Sequence, residues 1–138
     1  MQPAAQKCVA IRKAESHSGK QGLQYFEGVS AETTGATGLC LHRVTIPPLG
    51  RAKPHLHEKH ESAIYVLSGE AGMWYGEGLR EHVWVTAGDF LYIPANMPHL
   101  PYNPSPTEPC VGLVARSDAN EQESVTLLPI PDPGIAAR

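Results

Sequence analysis

Along this chain apolar residues alternate with polar ones or run in short bursts, and clusters of turn-forming residues separate the bursts. Period-two patterning predicts nine strands, at Cys8–Arg12, Leu23–Val29, Leu39–Ile46, Ala63–Leu67, Ala71–Tyr75, His82–Thr86, Phe90–Ile93, Cys110–Ala115 and Val125–Leu128. The breaks have a mechanism: Pro47-Pro48-Leu49-Gly50, Ser68-Gly69, Gly76-Glu77-Gly78 and Ala87-Gly88-Asp89 are turn sequences. From Pro94 to Pro109 the chain holds six prolines. Proline cannot donate to a strand ladder, so most of this stretch is expected as loop or strand edge. No segment of ten residues keeps a 3.6-residue period, and one helical turn is predicted near Ser117–Gln122. Many short strands joined by Gly and Pro turns predict an all-β sandwich or barrel. The tail, Pro129–Gly134 and onward, is expected to fray or to pack on a partner.

Composition narrows the class. At 138 residues the chain has room for one domain, taken as residues 1–138, and 13 Gly with 13 Pro against 18% charged residues disfavour long helices. Net charge is −3 and the cations are scattered singly, so no nucleic-acid partner is expected. No window approaches the ~18 apolar residues of a membrane span, and the N-terminus lacks a signal peptide's apolar middle; no membrane partner and a cytoplasmic location are expected. Cys8, Cys40 and Cys110 are odd in number, far apart and set among apolar residues, as free buried thiols would be.

The chemistry is concentrated in His55-Leu56-His57-Glu58-Lys59-His60-Glu61. Neutral imidazole is the commonest metal ligand, and in a strand residues i and i+2 share a face, so His55 and His57 can aim at one point. The bland alternative is a solvated strand start, since Lys53, Glu58 and Lys59 surround the pair.

A second cluster, Gly88 to Asn103, gives the first a context. Gly50, His55, His57, Glu61 and Gly69, followed by Gly88, Pro94, Asn96, His99 and Asn103, resemble the two motifs of the cupin superfamily of small β-barrels. Asn96 stands where the motif has its middle Gly, a mild change because Asn tolerates positive φ. The resemblance implies a single-domain all-β cupin barrel (double-stranded β-helix, or jelly roll), with motif one at 50–69 and motif two at 88–103. It implies metal ligands at His55, His57 and His99, with a Glu as the fourth. The residue at the family's spacing from Gly69 is Ser62; Glu61 lies one step out of register, which in a strand means the opposite face. Either a bulge near His60 and Glu61 turns the carboxylate inward, making Glu61 a provisional ligand, or the site has three histidines. His60, which shares the parity of Ser62, is a third candidate.

Three imidazoles suit Zn, Cu, Fe and Ni, and a carboxylate extends the choice to Mn; the cofactor expected is a divalent transition metal, Fe, Mn, Ni or Zn. Met73, Trp74, Tyr75, Trp84, Tyr92 and Tyr102 are candidates for the pocket wall, with core packing as the alternative. Only one of His42 and Arg43 can face inward, and an outward Arg43 is favoured. His17 and His82 are assigned no role, and Glu58 and Lys59 are read as a solvated rim. The functional expectation is a metal-binding cupin whose ion coordinates a small organic substrate, with dioxygenase chemistry first and sugar or keto-acid isomerisation second. A non-catalytic small-molecule sensor is the alternative from another class. By analogy with resembling proteins, a homodimer is expected, with Lys7–Arg12 or Val125–Ile130 packing across it.

Overall fold

The computed structural model describes residues 7–12, 16–19, 22–120 and 124–138. Eleven strands are described: β1 (Ser16–Ser18), β2 (Gln24–Val29), β3 (Cys40–Ile46), β4 (His55–His57), β5 (Ser62–Ser68), β6 (Glu70–Tyr75), β7 (Glu81–Thr86), β8 (Phe90–Ile93), β9 (His99–Tyr102), β10 (Cys110–Arg116) and β11 (Val125–Leu127). They form two antiparallel sheets, a six-stranded one in the order β1-β2-β3-β10-β5-β8 and a five-stranded one in the order β11-β4-β9-β6-β7. The inner faces enclose a core of Leu23, Tyr25, Val44, Ile46, Val66, Ala71, Val85 and Val114. This is the double-stranded β-helix architecture that the resemblance implies.

Strict alternation builds these strands. In β10 every second residue from Cys110 to Arg116 is buried, and in β3 Cys40, His42, Val44 and Ile46 are. Among the turns with left-handed backbone, two bear on the motifs. Gly69 joins β5 to β6 at φ +79°, where a Cβ would lie 2.3 Å from the Pro109 carbonyl oxygen, so only glycine fits. Asn96 has φ +61°, as its place in motif two predicts, and its side-chain oxygen accepts from Lys59 N at 3.0 Å. The second motif's turn thereby holds the loop that follows the first.

Eight of the nine predicted strands are present within a residue or two at their ends. Cys8–Arg12 is not a strand: these residues are exposed, and the strand pairing with β2 is β1, at Ser16–Ser18. Cys8 is correspondingly exposed, whereas Cys40 and Cys110 are buried as expected. Two strands lay unpredicted beside the histidines, β4 and β9. Strand β9 crosses the proline-rich stretch and is no edge, since it lies between β4 and β6. Pro101 is tolerated because its carbonyl accepts from Ala52 N at 3.0 Å, which places its missing N–H on the side where the β4–β9 ladder has the single partner pair His55 and His99. The predicted turn at Ser117–Gln122 is not helical through Asn120, and its last residues lie outside those described. One helical turn, α1 (Ala31–Thr34), forms instead, closed by a capping box between Ser30 and Thr33 and by left-handed Gly35.

The tail is docked rather than frayed. Trp74, Trp84, Leu79, Leu100 and Tyr102 form a second apolar cluster on the outer face of the five-stranded sheet, and Ile130 packs on it. Trp74 Nε1 donates to Gly134 O at 2.6 Å, Ala136 N donates to Tyr102 Oη at 3.0 Å, and Arg51 pairs with Asp132. Deleting residues 130–138 exposes this cluster and removes two hydrogen bonds, an expected loss of about 3 kcal/mol in urea unfolding with a red-shifted tryptophan emission. Unchanged emission would show that the tail contributes nothing.

Candidate metal centre

Strand β4 has the burial pattern buried, half-buried, buried, so His55 and His57 both face inward. His55 is the register partner of His99, the first residue of β9, which puts three imidazoles from two adjacent strands on one patch of the barrel wall. Ring centroids are 4.2 Å apart for His55 and His99, 5.2 Å for His55 and His57, and 5.5 Å for His57 and His99. One ring nitrogen from each lies within 4.8 Å of the others, and all three residues are buried.

The surroundings fix the rings in the state a ligand requires. His55 Nδ1 lies 2.7 Å from Lys53 O and His99 Nδ1 lies 2.8 Å from Met97 O. A carbonyl only accepts, so each Nδ1 carries the proton and donates, leaving the Nε2 lone pair for an ion. Both ring nitrogens of His57 are buried without a hydrogen-bond partner, which is costly unless something absent from the protein alone satisfies them. Burial holds the His55 and His57 pKa values well below the ordinary imidazole range and pushes His99 down to about 4; the charge of Arg116 lowers all three further. The imidazoles are therefore neutral and available as ligands at pH 7.

Glu61 does not join them. It is exposed, and Tyr92 Oη donates to its carboxylate at 2.5 Å on the outer side of the sheet. No bulge turns it inward: the pairing of β5 with β8 and with β10 runs from Ser62 without a shift, and the one irregularity falls further along, opposite Val111 and Gly112. The structure thus does not bring Glu61, the provisional fourth ligand, to the three histidines, and period two supplies the reason. Ser62, at the family's carboxylate position, is buried, and its Oγ accepts from Arg116 Nε at 3.2 Å. His60 is half-buried, with Nδ1 3.5 Å from an oxygen of buried Asp118, and stands apart from the three-histidine group. Glu61→Ala is expected to retain full metal content by elemental analysis; loss of half or more would return the carboxylate to the site.

Arg116 is the residue that sequence reading missed. It is buried and lines the barrel cavity with His55, His99 and Ser62. The predicted strand stopped at Ala115, one residue short, although the parity of Gly112 and Val114 would have pointed Arg116 inward. The cavity is about 70 Å³ and its other walls are largely apolar, including Tyr25, Val66, Met73, Ile93 and Val114. Of the aromatic wall candidates, Tyr75 and the exposed Tyr92 border the mouth with Val83 and Met97, whereas Trp74, Trp84 and Tyr102 belong to the outer cluster. Arg43 is exposed and stacks on Phe26, while inward His42 accepts from Gly28 N at Nδ1. His82 lies in the outer cluster, 2.8 Å from Tyr102 Oη. The side chain of His17 lies outside the described residues.

The fold and the three buried histidines define a small β-barrel with a candidate metal centre, and sequence comparison names its kind. A cupin domain profile matches residues 42–116, more than half of the chain, and the protein belongs to the cupin family. Germin-like protein 8-11 of Oryza sativa subsp. japonica is 26% identical over 87 residues, 60% of this chain and 39% of that protein. The chain therefore spans about two-fifths of the length of the curated relatives it matches. Among solved structures, the polyketide cyclase RemF of Streptomyces resistomycificus superposes with a TM-score of 0.71 at 22% identity, covering 91% of this chain and 89% of that one. An oxalate oxidase superposes at 0.69 and 22% identity, covering 89% and 63%.

Proposed function

We propose that His55, His57 and His99 hold a divalent transition metal, Fe, Mn, Ni or Zn, and that the ion coordinates a small organic substrate in the barrel. The observation that carries this reading is the state of the histidines: two are oriented by backbone carbonyls, and the third is buried with both nitrogens unsatisfied. Bound there, the ion would supply Lewis acidity or dioxygen activation with coordination positions left open.

The chain's own residues set the substrate's size and charge. A cavity of about 70 Å³ holds on the order of five waters, well below the roughly 300 Å³ of a drug-sized site. The part of the substrate that enters is therefore a few heavy atoms, and any larger portion extends past Tyr75 and Met97 at the mouth. Arg116, held at Ser62 Oγ and over the Tyr25 ring, makes that side of the wall cationic, and the apolar remainder excludes water. Dioxygenase chemistry is the first reading, supported by the three-histidine set and by the likeness to an oxalate oxidase. Lewis-acid chemistry without oxygen, an isomerisation or cyclisation, is the second, favoured by the near full-length match to a polyketide cyclase. Function in the cytoplasm and as a homodimer belongs to the same proposal.

Untagged protein is expected to carry close to one equivalent of a transition metal by elemental analysis, or to gain at least 5 °C in Tm when one is added to the stripped protein, a gain of about 1 kcal/mol or more. Less than about a tenth of an equivalent together with no thermal shift from any of the four ions would end the metal reading. Oxygen uptake by Fe(II)-loaded protein across small carboxylic acids, diketones and phenolic acids separates the two chemistries; silence across the panel favours the Lewis-acid reading or a binding role.

A further inference from the structure

Outside the three-histidine centre, three buried polar atoms without a hydrogen-bond partner lie on the turn after β4 and on the segment beside it: His60 Nδ1, Asp118 Oδ2 and Ser124 Oγ. The backbone ties these two pieces of chain together. Glu61 N donates to Ser117 Oγ at 3.1 Å and Ser117 N donates to Glu61 O at 3.2 Å, which fastens the end of the turn to the end of β10. At the start of the turn Glu58 N donates to Ser124 O at 2.9 Å, and Lys59 N is held by the Asn96 side chain. His60 and Asp118 therefore face each other from anchored backbone.

The orphaned atoms form a donor set. Asp118 is 8% exposed and its Oδ1 accepts from Asn120 N at 2.9 Å, so only Oδ2 is left without a donor. A buried carboxylate oxygen in that state is costly unless a positive partner meets it. The 3.5 Å between His60 Nδ1 and Asp118 Oδ2 is long for a hydrogen bond and short for a bridging water. A water about 2.8 Å from each atom would be bent to roughly 77°, far below the tetrahedral angle. At metal bonds of about 2.05 Å to imidazole nitrogen and about 2.1 Å to carboxylate oxygen, the same two atoms subtend about 115°, near the tetrahedral value of about 109°.

We propose that His60 Nδ1 and Asp118 Oδ2 hold a second divalent transition metal ion such as Zn(II), separate from the barrel centre, with Ser124 Oγ and water as its neutral donors. Imidazole with one carboxylate suits such ions, and the carboxylate halves the charge that is bound. The His60 side chain is 32% exposed, so both water and the ion reach this site from solvent, whereas His55, His57 and His99 are all buried. The ion pins the turn that follows motif one to the segment beyond β10. With two strong protein ligands against three, it fills after the barrel site.

Stripped protein titrated with Zn(II) in equilibrium dialysis is expected to bind two equivalents. His60→Asn and Asp118→Asn are each expected to bind one with unchanged circular dichroism; the latter keeps the acceptor for Asn120 N. His57→Leu, which disables the barrel centre, is also expected to bind one and to gain about 3 °C or more in Tm from it, while His57→Leu combined with His60→Asn binds none and gains nothing. A single equivalent in the wild type that His57→Leu abolishes overturns this inference and leaves the barrel reading intact. A single equivalent that His57→Leu retains and His60→Asn loses upholds this site and ends the barrel reading. Two equivalents that neither His60→Asn nor Asp118→Asn reduces also overturn the inference, because the second ion then binds elsewhere.

Discussion

Acidification from pH 6.5 to 5 is expected to cost the metal-stripped protein several kcal/mol of stability, a large part of the roughly 5–15 kcal/mol that a domain has. The cause is the three buried imidazoles. Burial lowers their folded pKa values below the 6.5 of an exposed histidine, with His99 near 4, so between these values the unfolded chain binds protons that the folded one cannot. Stability is then complete above about pH 6.5 and is lost as the pH falls toward the folded values. Each histidine contributes at most about 2 kcal/mol across these 1.5 pH units. Protonating one raises the cost of protonating its neighbours, so the three act together. His82, also lowered by burial, adds a smaller loss of the same sign. Most exposed carboxylates remain ionised above pH 5, which makes this window specific for histidine. Urea midpoints in EDTA at pH 7, 6.5, 6, 5.5 and 5 would measure the slope; a flat profile would mean that the imidazoles are not buried as described.

That acid sensitivity was half legible in the sequence. The spacing of His55 and His57 and the motif around His99 located the three rings, because strand parity is a local property that residue order carries. Their burial was not legible, since it depends on which strands lie across the barrel, and the short strands β4 and β9 escaped prediction altogether. Three residues are too few to show a period, and the prolines around β9 argued for a loop. Parity also settles Glu61 against Ser62 once the pairing of β5 with β8 excludes a bulge at that point. Arg116 shows the opposite limit. Its inward direction follows from the alternation of β10, but its contact with Ser62 joins positions 54 residues apart, and no local pattern encodes that. The tail was misjudged for a related reason: Pro129, Pro131 and Pro133 exclude a strand, yet a chain without a ladder can still dock through Ile130, Gly134 and Asp132.

His57→Leu is expected to change metal affinity and stability in opposite directions. Removing one of three ligands should lower metal affinity by at least 100-fold, since the loss of an outer-shell partner alone typically costs 10–100-fold. In the stripped protein the same substitution removes two buried ring nitrogens that have no hydrogen-bond partner and replaces them with an aliphatic side chain of comparable volume. An unsatisfied buried group costs about 1–3 kcal/mol, so the variant should be more stable than wild type by about 1 kcal/mol at pH 7 after allowance for imperfect packing. The gain should widen toward pH 5, because one of the three proton-excluding sites is gone. A structural histidine behaves otherwise: its loss destabilises the protein at every pH and leaves any metal effect secondary. His99→Leu provides the contrast, because its Nδ1 bonds to the Met97 carbonyl, and replacing it sacrifices that bond along with the ligand. Paired urea titrations of wild type, His57→Leu and His99→Leu, with metal and in EDTA, give the comparison. The opposing signs identify His57 as a residue retained for a ligand at the expense of the fold, and a destabilised His57→Leu in EDTA would remove the strongest support for a metal in this barrel.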